Sequence, residues 1–516
     1  MRKTTSGPAR SVLTAVIALI ALTSAGTANA FCGFYVGGAG QELYNKATLV
    51  VMMRDGTRTV LSMRNAYEGP PENFAMVVPV PVVLQQEDVH TLPSELFDKV
   101  DTLAAPRLVE YWETDPCNPE PPYQMMRMAA MADSASTESE GSGGGDLGVR
   151  VEAQFAVGEY DIVILSARDS GGLETWLRRE GYHIPDNAAP VLRPYVEQGT
   201  KFFVARVDVS RIQHWDGPRA MLSPLRVQYE SQQFMLPVRL GLVNSAGEQD
   251  LIVHILGRNQ RYEVANYDNV TIPTNLRVTN GVRNEFAPFY ASLFDRVLAE
   301  HPSSVVTEYS WDAQSCDPCP GPTLDQEDLM TLGLDVIGGD PYSWTLTRLH
   351  YRYGADALGD DLVFRPAPPI VGGRGIPDQA GNMPREVTQN EGVNNFQGRY
   401  VILHPWEGEV ACESPQRGVW GGPPGGGDPP AAPATNLAFA TRGNDLGSYL
   451  AEDVPELSVH ASAGSDVRSD PVGGGGRVPS SSAGCASCSD GAGTLPISGA
   501  IATAQLLGAF VLRRRG

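Results

Sequence analysis

Cys316-Asp317-Pro318-Cys319 is the sharpest constellation of reactive side chains in the sequence. A C-x-x-C spacing serves three chemistries: a redox dithiol, half of a zinc site, or a structural disulfide. Zinc needs four ligands, and no second C-x-x-C or H-x3-H lies nearby. A redox pair favours the start of a helix, which lowers the thiolate pKa. Here Pro320-Gly321-Pro322 follows, so no helix starts at once. The spacing favours the structural disulfide, with redox and metal roles as the alternatives.

Other reactive residues do not gather. The eight histidines are scattered, with no pair at i, i+4 and no H-E-x-x-H. His350, inside TRLHYRY, and His404, before Pro405-Trp406, read as packed or surface side chains rather than ligands. No G-x-S-x-G elbow, P-loop or dinucleotide fingerprint occurs, and Gly37 to Gly40 read as a loop. Carboxylates are numerous enough for glycosidase chemistry, but nothing selects one pair. The acidic groups Asp325, Glu327, Asp328 and Gly359-Asp360-Asp361 lack the spacing of a calcium loop and read as solvated surface. The sequence therefore assigns no catalytic residue, no metal ligand and no cofactor. It favours a non-catalytic binding or structural domain. The alternative is an envelope enzyme, either a hydrolase or a thiol oxidoreductase using Cys316 and Cys319.

The rest of the chemistry concerns address. Arg2, Lys3 and Arg10, the apolar run Val12 to Leu22 and the small residues Ala28-Asn29-Ala30 have the order of a secretory signal. Cleavage after Ala30 makes Phe31 the mature start. At the other end, Cys485 and Cys488 precede a diluted apolar run, Leu495 to Leu512, and then Arg513, Arg514 and Arg515. A run of that length can span a thin membrane, with the arginines on the cytoplasmic side. Cysteine, apolar helix and arginine cluster together resemble the carboxy-terminal sorting signals of myxobacterial surface proteins. That resemblance implies a signal peptidase, a sorting protease and final display on the outer surface. The alternative is a permanent inner-membrane tail anchor facing the periplasm.

Export implies an oxidising compartment. Of the seven cysteines, Cys32, Cys117, Cys316, Cys319 and Cys412 are the disulfide candidates of the folded part. Five is odd, so one is free or pairs with Cys485 or Cys488. The net charge of −21 excludes electrostatic binding to nucleic acid or to an anionic membrane. The expected partners are an extracellular or periplasmic molecule, and the membrane through the tail.

Around these residues the pattern predicts an α+β fold rich in antiparallel strands. Asp55-Gly56 between Ala47–Met53 and Thr57–Met63 predicts a hairpin. Strands are expected over 73–80, with Pro79 and Pro81 at an edge or end, and over 107–112, 149–157, 160–167, 201–209, 225–229, 233–240, 251–256, 343–352 and 399–404. Helices are expected from Ser94, from Ser170 to Gly181, over 188–198 and over 286–300. The resulting organisation is a signal peptide over 1–30, an α+β region over 31–412 with a low-complexity insertion at 118–148, and a Gly/Pro/Ala/Ser-rich stalk over 413–484. A Cys-helix-Arg tail over 485–516 completes it. FAMVVPVP (74–81) and FMLPVRLG (234–241) echo each other weakly, which reads as chance rather than duplication.

Several blocks carry a broader resemblance. FCGFYV opens the mature chain, and NKATLVVMMRDGTRTVLSMRNAYEGPPENFAMVVPVPVVL spans 45–84. APRLVEYWETDPC, YDIVILSARDSGGLETWLRREGYHIP, KFFVARVDV, FMLPVRLGLVN, SCDPCPGP, TRLHYRY and NFQGRYVILHPW follow in order. Together they resemble domain-of-unknown-function family 2330, a family of exported bacterial proteins, from Phe31 to about Trp406. The resemblance implies an exported α+β domain and brings no reaction with it.

Overall fold

The computed structural model describes residues 34–36, 44–68, 75–118, 149–181, 188–216, 219–244, 248–354, 359–375, 388–427, 429–434, 437 and 440–462. Ala30, Phe31, Cys32, residues 119–148 of the insertion, Cys485, Cys488 and Arg513 to Arg515 lie outside them.

The Asp-Gly signal produces the longest hairpin. Strands β1 (Tyr44–Asp55) and β2 (Arg58–Glu68) pair from Tyr44↔Glu68 to Asp55↔Arg58. Gly56 turns the chain at φ +57°, a left-handed conformation that glycine adopts without a Cβ penalty. β3 (Ala75–Val80), α1 (Ser94–Ala104) and β4 (Arg107–Glu113) come next. Then follow β5 (Val149–Val157), β6 (Tyr160–Ala167), α2 (Ser170–Arg179), α3 (Ala188–Glu197) and β7 (Lys201–Val207). β8 (Leu225–Glu230), β9 (Gln249–Arg258), α4 (Phe286–Glu300), β10 (Val305–Asp312), β11 (Trp344–Tyr353) and β12 (Arg399–His404) complete the main elements.

Among the described residues the largest sheet has the core order β10-β11-β9-β1-β2-β8, extended at both ends by shorter strands. β9 and β1 run parallel, and the other neighbours in that core order are antiparallel. A second sheet, β3-β7-β6-β5 with Phe34–Val36 outside β3, is antiparallel throughout. Val50, Met52, Leu61, Val253, Leu349 and Tyr351 of the first sheet share one core with Val78, Ile162, Ile164 and Phe203 of the second. The other face of the second sheet is covered by Leu173, Leu177, Leu192 and Tyr195 of α2 and α3. The far face of the large sheet is covered by α1 and the helical stretch 326–337 near one end, and by α4 near the other. β1 is therefore buried on both faces, which is why LVVMM is continuously apolar rather than alternating. These layers make the fold α+β.

A third sheet joins distant segments. β12 lies parallel to β4, and the short strands Trp420–Gly421 and Ala431–Pro433 pair with the far edge of β4. These last two belong to the expected stalk, and there the expectation is corrected. Over 413–462 the described residues are part of the fold. Ala434, Leu446, Tyr449, Leu450, Val454 and Leu457 are buried against Phe286, Phe289 and Val297 of α4. Average composition hid them: six apolar side chains, spread through Gly, Pro and Asp, suffice to hold a strap on a helix. Residues 463–484 of the expected stalk lie outside the described residues.

Smaller differences have local causes. α1 follows Pro93, so Ser94 sits inside its first turn instead of capping it. Asp169, one residue before Ser170, caps α2 by accepting the Gly172 N–H at 2.6 Å. The strand expected over 233–240 shortens to Met235–Leu236 and turns into a 3-10 helix at Arg239–Asn244. FMLPVRLG thus folds unlike β3, and the echo with FAMVVPVP has no structural counterpart. Pro79 sits where the outer strand Phe34–Val36, which pairs only with Ala75–Val77, no longer reaches β3.

Leu450→Ala is expected to cost about 2–5 kcal/mol in urea unfolding, the range for a buried leucine. A loosely tethered stalk would instead leave stability within about 0.5 kcal/mol.

Candidate functional site

Of the residues that gather, only His350 is singled out by the sequence, as a packed or surface side chain. β11 carries Arg348, His350 and Arg352 at alternate positions, so all three leave one face of the sheet. On β9, Asp250 lies opposite Arg352 and His254 opposite Arg348. Glu308 comes from a bulge in β10: Thr307 pairs with Leu349 and Tyr309 with Arg348, which leaves Glu308 as the extra residue. α1 adds Asp101, and α4 adds Tyr290, Phe294 and Asp295.

These groups form a row of alternating charge. Arg348 pairs with Asp101 on one side and donates Nε–H to Glu308 Oε2 at 2.6 Å on the other. His350 Nδ1 lies 2.7 Å from Glu308 Oε1, and its Nε2 lies 3.2 Å from Asp250 Oδ1. Arg352 grips both oxygens of Asp250, at 2.7 and 3.0 Å, and also pairs with Asp295. Arg442, on the strap, ends the row by binding Asp295 at 3.1 Å and Glu248 at 3.4 Å. Glu308 and Arg348 are fully buried.

Burial and charge set the protonation states. Burial alone pulls the His350 pKa down, but the Glu308 charge and the hydrogen bonds to Asp250 and Glu308 outweigh it and raise it. Both ring nitrogens then donate to carboxylates. Burial pushes Glu308 up, yet the charges of His350 and Arg348 with their hydrogen bonds bring it down to about 2. His254 does the opposite. Burial, then the nearby Arg348 charge, lowers it to about 3, so it stays neutral, its Nε2 3.3 Å from Arg348 Nη1.

Such a set can hold protons but has little freedom to move them. His350 is pinned between two carboxylates, and Glu308 also accepts from the Tyr290 hydroxyl. The Phe294 ring stacks on His350 at 3.9 Å, with the Arg352 guanidinium over that same ring. A surface cleft of about 240 Å³ lies elsewhere, lined by Arg58, Thr59, Val82, Asp88, Gln228 and Tyr229, and none of the row's groups lines it. The middle of the row, Arg348, Glu308 and His350, lies inside the fold, and its end at Arg442 and Glu248 reaches the surface.

The four cysteines among the described residues fall into two bridges. Cys117 is joined to Cys412 and Cys316 to Cys319. On the chain-entropy account, closing a loop of 295 residues stabilises by about 6 kcal/mol, against about 2 kcal/mol for a separation of 3. The short ring rests on a second set of buried side chains. Arg107 Nη1 donates to the Pro318 carbonyl at 2.9 Å, and Gln397 Nε2 donates to the Asp317 carbonyl at 2.7 Å. Arg107 and Arg399 are both fully buried; burial, helped by the charge of Arg399, lowers the Arg107 pKa to about 10.

The remaining sequence candidates are structural. Asp325 and Asp328 cap a short helix reciprocally and both bind Lys99. Asp361, expected on the solvated surface, is buried: its Oδ1 accepts from the Tyr195 hydroxyl at 2.7 Å and the Val238 N–H at 2.9 Å. Its short side chain satisfies donors that α3 and the segment after Leu236 leave facing inward. His404 bonds Glu110 at 2.7 Å and stacks on Trp112. Among the described residues no group of three or more His, Cys, Asp or Glu side chains could hold a metal ion, and no helix is long and apolar enough to cross a membrane.

The chain belongs to the bacterial family described as "Uncharacterized protein conserved in bacteria (DUF2330)", whose model matches residues 26–365. The match takes in the whole of β11 and ends before NFQGRYVILHPW, so Arg399 and Cys412 lie beyond it. No curated protein and no solved structure matches the chain.

Glu308→Gln leaves Arg348 and His350 short of a buried counter-charge and is expected to cost about 3–5 kcal/mol in urea unfolding. The pH dependence has two limbs. His350, raised in the fold, contributes fully below its unfolded value of about 6.5, and that contribution is lost as pH rises through the raised value. His254, held neutral, contributes fully above about 6.5, and the contribution is lost as pH falls toward about 3. Glu308 adds a loss between about 4.3 and about 2. Stability measured from pH 4 to 9 should fall on both sides, and His350→Gln should flatten only the alkaline side.

Proposed function

We propose that this member of the family is a non-catalytic display domain of the bacterial cell envelope, exported, oxidised and held at the surface through its carboxy-terminal segment. The observation that carries this reading is the state of the sulfur atoms. All four cysteines among the described residues are in disulfides, and one bridge closes across 295 residues. Bridges of that kind form and persist outside the reducing cytoplasm.

Two further features support it. The gathered ionisable groups are spent on one another inside the fold, so the described surface presents no collected acid, base and nucleophile. The acidic chain suits a soluble surface domain rather than one that binds nucleic acid. On this reading the amino-terminal run is a secretory signal. The tail, from Cys485 through Arg515, is the sorting signal whose helix is removed after export. The partner is an extracellular or periplasmic molecule.

The test is the intact mass of the protein purified from the envelope of its native cells. The expected chain begins at Phe31 and ends near Cys485 or Cys488, with added mass on a tail cysteine. Alkylation should label Cys117, Cys316, Cys319 and Cys412 only after reduction. A mass that retains Arg513 to Arg515 would mean a permanent inner-membrane anchor. Recovery from the cytoplasm with free thiols would overturn export itself.

A further inference from the structure

The two disulfides differ in what depends on them. Cys117–Cys412 fixes the relation between segments that are otherwise 295 residues apart. Cys316–Cys319 closes a ring that is already fixed without it. Inside that ring the Pro318 carbonyl is held by Arg107 and the Asp317 carbonyl by Gln397. Both donors are fully buried, and Gln397 is further tied to the Gly373 carbonyl at 2.8 Å. Outside the ring, the Tyr309 hydroxyl donates to the Ser315 carbonyl at 3.1 Å, and the Ala313 carbonyl accepts from Leu324 N at 3.2 Å. The approach to the ring and the span after it are therefore pinned by contacts that involve no sulfur. A covalent bond that adds so little to position is free to open and close.

The sulfurs are also unequal. Cys319 is exposed, whereas Cys316 is half-buried and packs against the core that α1 helps to form. Attack from solvent therefore meets Cys319 Sγ before Cys316 Sγ, while Arg107, donating to the Pro318 and Leu103 carbonyls, keeps the ring backbone in place.

We propose that Cys316–Cys319 is a thiol–disulfide exchange site that accepts two electrons from a dithiol in the folded state, with Cys319 Sγ as the attacked sulfur. One thiolate of the dithiol attacks Cys319 Sγ, and the electron pair of the S–S bond leaves on Cys316 Sγ, which takes up a proton. The second thiolate of the dithiol attacks its own sulfur in the mixed disulfide and releases Cys319 as a thiolate, which is protonated in turn. The dithiol ends as a disulfide, its two protons end on the cysteines, and the ring stays in place on Arg107 and Gln397. This site stands whether or not the domain is exported, and it adds a reaction to a domain otherwise read as non-catalytic.

The experiment uses the full chain with its bridges intact. Graded dithiothreitol at neutral pH is quenched with iodoacetamide, the labelled cysteines are located by peptide mass, and near-ultraviolet circular dichroism reports the fold. Cys316 and Cys319 should be labelled at about tenfold or more lower reductant than Cys117 and Cys412, with the dichroism unchanged. Resistance of the pair until the dichroism collapses would overturn the proposal. A monothiol tests the direction of attack. With reduced glutathione and an acid quench, the first mixed disulfide trapped on the oxidised protein should carry glutathione on Cys319 and leave Cys316 as the free thiol. Equal labelling of the two cysteines, or glutathione mainly on Cys316, would overturn the assignment of Cys319 as the attacked sulfur.

Discussion

The fold turns on one ion pair. Arg348 and Glu308 are both fully buried on the large sheet, where Arg348 pairs with Asp101 of α1 and Glu308 accepts from Tyr290 of α4. A charge placed there must be matched on the spot, because the interior offers no water to do so. Each match calls for another. Glu308 neutralises Arg348 and orders His350, His350 needs Asp250, and Asp250 fixes Arg352. Arg352 and then Arg442 bind Asp295 on α4. The position of two helices and of the strap therefore follows from one unsolvable charge and its chain of partners. An apolar core would tolerate sliding between α1 and α4, but an alternating row accepts only one register.

This arrangement explains what could and could not be read from the sequence. The hairpin at Asp55-Gly56, the strands from 149 to 207 and the helix from Phe286 to Glu300 are legible because turn residues and apolar spacing act over a few positions. The row is not. Its members come from α1, β9, α4, β10, β11 and the strap, and no short window contains more than three of them. One local trace exists: Arg348, His350 and Arg352 alternate with Leu349 and Tyr351 in TRLHYRY, so a strand there must carry three cations on one face. That pattern demands buried acids somewhere, but their identity depends on pairing across strands. Glu308 is harder still, since only the bulge turns its side chain onto that face.

The strap is hidden in the sequence for a related reason. Residues 413–462 have the composition of a linker, and composition averages over position. Leu446, Tyr449, Leu450, Val454 and Leu457 are few, but their spacing lets each meet α4 or its neighbours. Tyr449 bonds Glu285 and Arg296 bonds the Leu457 carbonyl, so polar contacts set the register while the apolar ones hold it. The two disulfides divide in the same manner. Cysteine counting leaves the pairing of Cys117 and Cys412 open, and only the third sheet, which brings β4 beside β12, places them together.

The Cys117–Cys412 bridge also sets a load path. Tension entering through residue 462 first peels the strap from α4, where only side-chain packing and a few hydrogen bonds resist it. On reaching Cys412 the tension meets a covalent branch and passes across the sulfurs to Cys117. The chain between them, which carries β5 to β12 and α2 to α4, forms a closed loop that the force bypasses, whereas β1 to β4 and α1 precede Cys117 and lie outside it. The molecule thus has a yielding collar and a shielded loop: a pull can strip the first without extending the second.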